Sequence, residues 1–424
     1  VETLIVFILI FGAIVIVHEF GHFYFAKRAG VLVREFSIGM GPKLLAKRYN
    51  GTTYTLRLLP LGGYVRMAGM QDDEDDELQP GTPVTLTLNA DQKITRINAS
   101  QKVLLNDGIP FEIAQSDLQK DLFVSGYENG DEDNLKRYPV DHDATIIEKS
   151  GTEVQIAPVD VQFQSVSILR RMMINIAGVM NNFILGILTF MLVAFLAGGV
   201  ARSDSNQLGA IQPDSVAQKA GLKSGDQVTA VNNKKTATFI DVAEQINQYP
   251  NKRISLTVVR DGKTSTVKLT PKATTSNGEK VGVIGVAVAQ DHSLGAKVTY
   301  GFTYTWQILT NTLSTLGGMF VHGFNINNFG GPVAMYSMTS QATKMGFTTI
   351  LNLMGLLSIS IAIMNLLPIP ALDGGKLLLN IIEAIRRKPM DPEKEGIITL
   401  IGFALMLLLI IAVTWNDFQR FFMR

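Results

Sequence analysis

The sequence predicts a multi-pass α-helical membrane protein with four spans and β-rich segments set between them. Three observations carry that prediction. Four runs, 3–25, 174–200, 350–367 and 396–415, each hold at least 18 mostly apolar residues, and Glu19 is the one acidic or basic side chain among them apart from histidine. That is enough helix to cross about 30 Å of hydrocarbon. Mean hydropathy is +0.20 with 46% hydrophobic residues, between a soluble domain and a chain made only of spans. The rest of the 424 residues is polar and patterned, with room for one or two domains of roughly 100 residues.

Composition excludes several chemistries. A net charge of +1 gives no reason to expect nucleic acid. Cysteine is absent, so disulfides, thiolate metal ligands and cysteine nucleophiles are all ruled out. The histidines are His18, His22, His142, His292 and His322. The last three read as plain surface or interface residues.

The first span carries His18-Glu19-Phe20-Gly21-His22. The run Thr3–Val17 before it is apolar, and Phe23–Ala26 continues it. The segment lies where a signal peptide would, but it has no basic leading region and it carries the motif. It is therefore expected to be retained. On a helix the two imidazoles fall one turn apart on one face, where both can bind one zinc ion. Glu19 is then close enough to act as general base toward water at that metal. Ionisable groups at such depth are costly without partners, so an intramembrane His-Glu-His reads as functional. The bland alternative is a polar cluster between helices.

Flanking Lys and Arg set the orientation. Lys27, Arg28 and Arg34 follow the first span, Arg170 and Arg171 precede the second, and Lys376, Arg386, Arg387, Lys388 and Lys394 lie between the third and fourth. The positive-inside rule puts both termini outside, loops 26–173 and 373–395 in the cytoplasm, and 201–349 outside. Residues 298–322 are long and nearly uncharged but rich in Thr, Ser, Asn and Gln, with Trp306 among them. They read as an amphipathic helix lying on the membrane.

In the cytoplasmic loop, Val33–Ile38, Thr53–Leu59 and Gly63–Met67 are β-like runs separated by Gly- and Pro-rich turns. They predict a small hairpin sheet hard against the membrane. Residues 72–77 are all acidic and read as a solvated linker. Residues 80–165 alternate polar and apolar and predict a small β-rich domain, with no chemical signature. Residues 205–272 predict a helix ending at Gly221, a turn at Gly225-Asp226, a strand, a helix over Asp241–Gln248 and a hairpin around Asp261-Gly262. This pattern resembles a PDZ domain, a fold that binds extended peptides or chain ends by strand addition.

Zinc held by two histidines needs a third protein ligand. The strongest candidate is Asp373, in Asn365-Leu366-Leu367-Pro368-Ile369-Pro370-Ala371-Leu372-Asp373-Gly374-Gly375 at the end of the third span. The prolines break the helix there, and a carboxylate near hydrocarbon needs a partner. The first and third spans run in parallel if 298–322 does not cross, which brings all three ligands to one depth.

HEFGH, NLLPIPALDGG and the intervening PDZ-like region together resemble the site-2 protease family of intramembrane zinc metalloproteases. The likeness is to its bacterial RseP/RasP type and the Gram-positive, Eep-like branch, and it covers nearly the whole chain. It implies zinc as cofactor, Glu19 as catalytic residue, and His18, His22 and Asp373 as metal ligands. It implies substrate contacts at Asn365, Pro368, Pro370, Gly62 and Gly63, and a membrane re-entrant β-loop that pairs with substrate. It also implies a plasma-membrane enzyme of regulated intramembrane proteolysis. Its partners would be the lipid bilayer and transmembrane substrates (anti-sigma factors or signal-peptide remnants) already shortened by a site-1-type protease.

The corresponding division of the chain has eight parts. These are 1–32, the first span; 33–71, the re-entrant loop; 72–169, a cytoplasmic β-rich insert; 170–200, the second span; and 201–290, one extracytoplasmic PDZ domain. The interfacial helix and its connection follow at 291–348, the third span with Asp373 at 349–375, and a cytoplasmic loop, the fourth span and the C-terminus at 376–424. One departure stands out: Ala177-Gly178-Val179 lacks the proline that the family's pattern carries at the third position. The alternative function is a non-catalytic PDZ membrane adaptor with a vestigial metal site; Glu19 argues against it. A metal-binding transporter is disfavoured by the absence of inverted repeats.

Overall fold

Helices dominate where the apolar runs lie, because hydrocarbon leaves the backbone only its own hydrogen bonds. In order they are α1 Glu2–Ala29, α2 Ile168–Leu196, α3 Val216–Lys219, α4 Phe239–Asn247, α5 Leu294–His322, α6 Pro332–Met345, α7 Phe347–Leu366, α8 Asp373–Arg386 and α9 Pro392–Phe422. The structure is a computed structural model that describes residues 1–69, 78–100, 102–103, 108–131, 133–149, 151–276, 279–388 and 390–422. The acidic run 72–77 lies outside the described residues. Among the described residues four helices, α1, α2, α7 and α9, are long and apolar enough to cross a membrane. The chain divides into two units, residues 1–187 with 305–424, and residues 188–304.

In the first unit, α1 ends at Gly30, whose φ of 86° turns the chain so that the Val31 N–H returns to the Ala26 carbonyl at 3.0 Å. Ile10, Phe11 and Ile14 of α1 pack with Leu185 of α2, Ala342 of α6 and Leu353 and Leu357 of α7. Between lipid-embedded helices such contacts work by close packing and interhelical hydrogen bonds. Small residues permit the approach. A Cβ on Gly21 would lie 2.5 Å from the Ala177 carbonyl oxygen, and one on Gly186 2.4 Å from Ile359 Cδ1. Asp417 of α9 is buried and accepts from the Gly331 and Ala334 N–H groups at 2.9 and 3.0 Å. It thus caps α6 from a neighbouring helix and finds its compensation in orphan amides.

Strands β1 (Val33–Tyr49) and β2 (Thr52–Met67) form a hairpin folded back on itself. Phe36 pairs with both Val65 and Tyr54, while Tyr54 also pairs with Lys47. Four short segments therefore lie in the order 63–67, 33–38, 53–57, 45–49. Gly39, Gly41 and Gly62 take φ near 85°, 86° and 80° to make the reversals. Segment 63–67 is an edge: among the described residues no other strand pairs with its far side.

The β-rich region that follows is a six-stranded sheet in which Ile94–Asn98, besides its antiparallel neighbour, pairs in parallel with Leu135–Ile147. That second pairing closes the sheet on itself around Leu86, Ile94, Ile97, Phe111, Ile113, Val124 and Ile146. Closure leaves few edges open to unwanted pairing.

The second unit centres on a sheet of Gln227–Val231, Lys234–Lys235, Ile254–Arg260 and Lys263–Leu269, with α3 and α4 against it. Thr238 and Asp241 form a capping box at the start of α4. Asp261 (φ 49°) and Gly262 (φ 76°) turn the hairpin. Buried Asp226 accepts from Arg260 Nε and an Arg260 terminal nitrogen at 2.6 and 2.7 Å, and from the Lys223 N–H at 2.8 Å. Burial alone would raise its pKa; the Arg260 guanidinium and the Lys223 amide outweigh burial and hold it below the ordinary 3.8. The native state thus binds this proton less tightly than the unfolded chain. Its contribution is full above about pH 4 and is lost as pH falls through the lowered pKa. Hydrogen exchange of the Val228 and Val231 amides in the full chain is expected to show that acid-side loss. Asp226→Asn should abolish the loss and weaken protection at neutral pH by about 2 kcal/mol.

Candidate metal centre

His18 and His22 stand one turn apart on α1, and their Nε2 atoms are 3.3 Å from each other. Asp373 begins α8, and its Oδ2 lies 3.2 Å from His18 Nε2 and 3.3 Å from His22 Nε2. The three ligand atoms all fall within 4.8 Å of one another. The local chain explains how the carboxylate arrives there. Leu367 is extended before Pro368, which ends α7. Ala371 takes φ 79°, a left-handed conformation that costs a side-chain-bearing residue about 1 kcal/mol. Gly374 and Gly375 let α8 start against that turn; a Cβ on either would sit 2.3 Å from the carbonyl oxygens of Leu366 or Ile369.

The donor set fits a metal. His22 Nδ1–H donates to the buried Ile174 carbonyl at 2.8 Å, which leaves the Nε2 lone pair facing Asp373. Asp373 Oδ2 is buried and has no hydrogen-bond partner among the described residues. Electron-rich atoms turned toward one another at this range need a cation between them. Asn182 lies 3.3 Å from His18 Nδ1, and its own buried oxygen has no hydrogen-bond partner among the described residues. A half-turn of that amide would let the oxygen accept from Nδ1–H and free His18 Nε2 as well.

These groups line a cavity of about 530 Å³ together with Glu19, Met40, Gly62, Gly63, Tyr64, Asn365 and Lys376. Gly63 puts the edge segment directly over Glu19: a Cβ there would meet Glu19 Cγ at 2.9 Å and the Ser37 carbonyl oxygen at 2.7 Å. Of the residues singled out from sequence, His18, Glu19, His22, Asp373, Asn365, Gly62 and Gly63 meet at this cavity. Pro368 and Pro370 stand in the connection between α7 and α8. Pro368 is exposed, and Pro370 packs against Gly402 of α9.

Sequence reasoning missed the contribution of α2. A Cβ on Gly178 would lie 2.3 Å from His22 Nε2 and 2.9 Å from His18 Nε2. The signal was present as Asn175, Gly178 and Asn182, polar or small residues at helical spacing in an apolar run. Asn181 bridges helices, donating to the Val17 carbonyl at 3.0 Å.

The family model of peptidase family M50 matches residues 6–409. The chain belongs to peptidase family M50. Curated relatives agree along its whole length. A protein of Enterococcus faecalis described as probable protease eep is 50% identical over 422 residues, 99% of this chain and 100% of the relative. A candidate zinc metalloprotease of Streptococcus pyogenes serotype M6 is 47% identical over 425 residues, 99% of each chain. Another from Lactococcus lactis subsp. lactis is 44% identical over 435 residues, 100% of this chain and 99% of the relative. The likeness to site-2 proteases drawn from HEFGH and the LDG motif is thereby borne out, and this M50 peptidase is a metalloendopeptidase.

Proposed function

We propose that this M50 peptidase is an intramembrane zinc metalloprotease in which His18, His22 and Asp373 hold the metal and Glu19 moves the proton. The observation that carries the reading is the meeting of three ligand atoms, from two separate helices, beside Glu19 in one cavity. Two imidazoles and a carboxylate form a donor set suited to zinc with a position left open. Bound zinc supplies Lewis-acid polarisation of a carbonyl and of water.

The chain's own residues do the rest. Glu19 takes a proton from the attacking water and delivers it to the leaving amine. A substrate helix keeps its amides in internal hydrogen bonds, so it must unwind locally to be cut. The free edge 63–67 offers replacement backbone partners, and the Asn365 amide can hold a group released by unwinding. Pro368 and Pro370 act by shaping the turn that delivers Asp373.

The substrates are single-pass segments already trimmed outside the membrane, such as anti-sigma factors or signal-peptide remnants. Both termini and residues 201–290, read as a PDZ domain, lie outside; 26–173 and 373–395 lie in the cytoplasm. The PDZ-like region would filter substrates by size or hold a trimmed end. Leu294–His322 is a helix outside the set apolar enough to cross, in line with a place on the membrane surface.

The test is cleavage of a tagged single-span substrate by the purified full chain. New termini are expected inside the apolar segment, formed only with zinc present and blocked by chelation. Cuts confined to soluble flanks, or made equally well after zinc removal, would overturn the reading.

A further inference from the structure

In the hairpin that walls the cavity, the Arg57 guanidinium bonds to both the 39–41 turn and the 63–67 edge. Arg57 lies in the inner segment 53–57, next to 33–38, which in turn lies next to the edge 63–67. Its Nε donates to Ser37 Oγ at 3.0 Å, and one terminal nitrogen donates to the Gly41 carbonyl at 2.8 Å. The other donates to Glu35 Oε1 at 2.9 Å and to Tyr64 Oη at 2.5 Å. Thr55 Oγ1 donates to the same Glu35 oxygen at 2.6 Å. Glu35, Ser37 and Thr55 are all buried.

One of these partners lines the cavity, and another adjoins a residue that does. Tyr64 lines it from the edge segment, and Gly41 closes the turn that presents Met40 to it. A guanidinium can serve all four acceptors at once because its five donors lie in a fixed plane; an ammonium is a point charge with movable donors.

We propose that Arg57 is a positioning residue for peptide cleavage, holding the 39–41 turn and the 63–67 edge so that one substrate bond is presented to Glu19. The inference rests on the protease reading above and deepens it. A strand added to the edge is in register or out of it by whole residues. Each step moves a peptide group about 3.3 Å along the strand, and a one-residue slip turns every side chain to the other face. An edge freed from Arg57 therefore changes which bond is cut as well as how fast.

The experiment uses the full chain in bilayers with a tagged single-span substrate, for wild type, Arg57→Met, Arg57→Lys, Tyr64→Phe and Glu19→Gln. Product termini are mapped by mass spectrometry, kcat/KM is measured, and zinc per chain is counted. Arg57→Met is expected to keep wild-type zinc, lose about 10- to 100-fold in kcat/KM, and spread its cuts over neighbouring bonds. Arg57→Lys should not restore the single cut. Tyr64→Phe, which removes one hydroxyl and keeps the ring, should show the same spread with a loss of about threefold. If Arg57→Met fails to fold, Tyr64→Phe decides. Variants that cut only the wild-type bond, at whatever rate, overturn the proposal and leave Arg57 a structural residue. A wild-type chain that cuts nothing removes the protease reading and this inference with it; a Glu19→Gln chain that cuts as wild type removes Glu19 as the base, and with it the presentation of one bond to that residue.

Discussion

Glu19→Gln is expected to lower the rate of substrate cleavage by about 1,000-fold or more while zinc content stays at the wild-type level. Glutamine keeps the size of the side chain and an acceptor oxygen, so the fit under Gly63 survives. What it loses is the ability to take a proton from water and return it to an amine. Glu19 is placed for that one task. It shares the cavity with His18, His22 and Asp373, yet among the described residues it is those three that bring their ligand atoms together within 4.8 Å. A fourth ligand would be lost with its metal; a base is lost with its rate. The measurement is therefore double: turnover of a single-span substrate, and metal per chain. A fall in both together would make Glu19 a ligand. No fall in turnover would remove Glu19 as the base.

The parts of this centre that were legible in the sequence are those set by local spacing. Two histidines four apart share a helix face whatever that helix packs against. Pro368 and Pro370 after an apolar run must end a helix, and a carboxylate three residues later sits at the end of a span by counting alone. The four spans were legible for the same reason, since length and hydropathy are local properties. The hairpin was legible only in part. Three β-like runs could be picked out, but 43–49 carries four basic or aromatic residues, Lys43, Lys47, Arg48 and Tyr49, and no alternation. It joins the sheet because β1 folds back, which places 33–38 between two segments distant in sequence. Nor could alternation foretell the parallel pairing of Ile94–Asn98 with Leu135–Ile147, because both strands would look the same in an open sheet. The contribution of α2 depends on where two helices cross. Crossing points are set by pairs such as Gly21 with Ala177, and a single sequence does not display pairs.

That crossing yields the second large effect. Gly178→Ala is expected to strip the centre of zinc, weakening its affinity by about 100-fold or more, beyond what loss of a supporting hydrogen bond does. The added methyl would lie 2.3 Å from His22 Nε2 and 2.8 Å from His18 Cε1, in the space where the imidazoles face Asp373. Relief has two routes, and both harm the centre. If the His22 ring swings away, it gives up its 2.8 Å donation to the Ile174 carbonyl and the tautomer that this bond selects. If α2 withdraws, the Ile174 carbonyl and the Asn182 amide withdraw with it, since all three ride on one helix. Gly21→Ala should act chiefly through the second route, because the atoms its Cβ would meet first are the Ala177 and Gly178 backbone, at 2.5 to 2.9 Å. Its loss of zinc should therefore be smaller. Gly12→Ala is the control on α1, with nothing within 4 Å of the new Cβ, and it should bind zinc as wild type does. Competition against a zinc chelator ranks the three without reference to catalysis. The order Gly12→Ala tightest, Gly21→Ala next and Gly178→Ala weakest is what the crossing requires. Wild-type affinity in Gly178→Ala would mean that α2 does not stand against the histidines when the metal is bound.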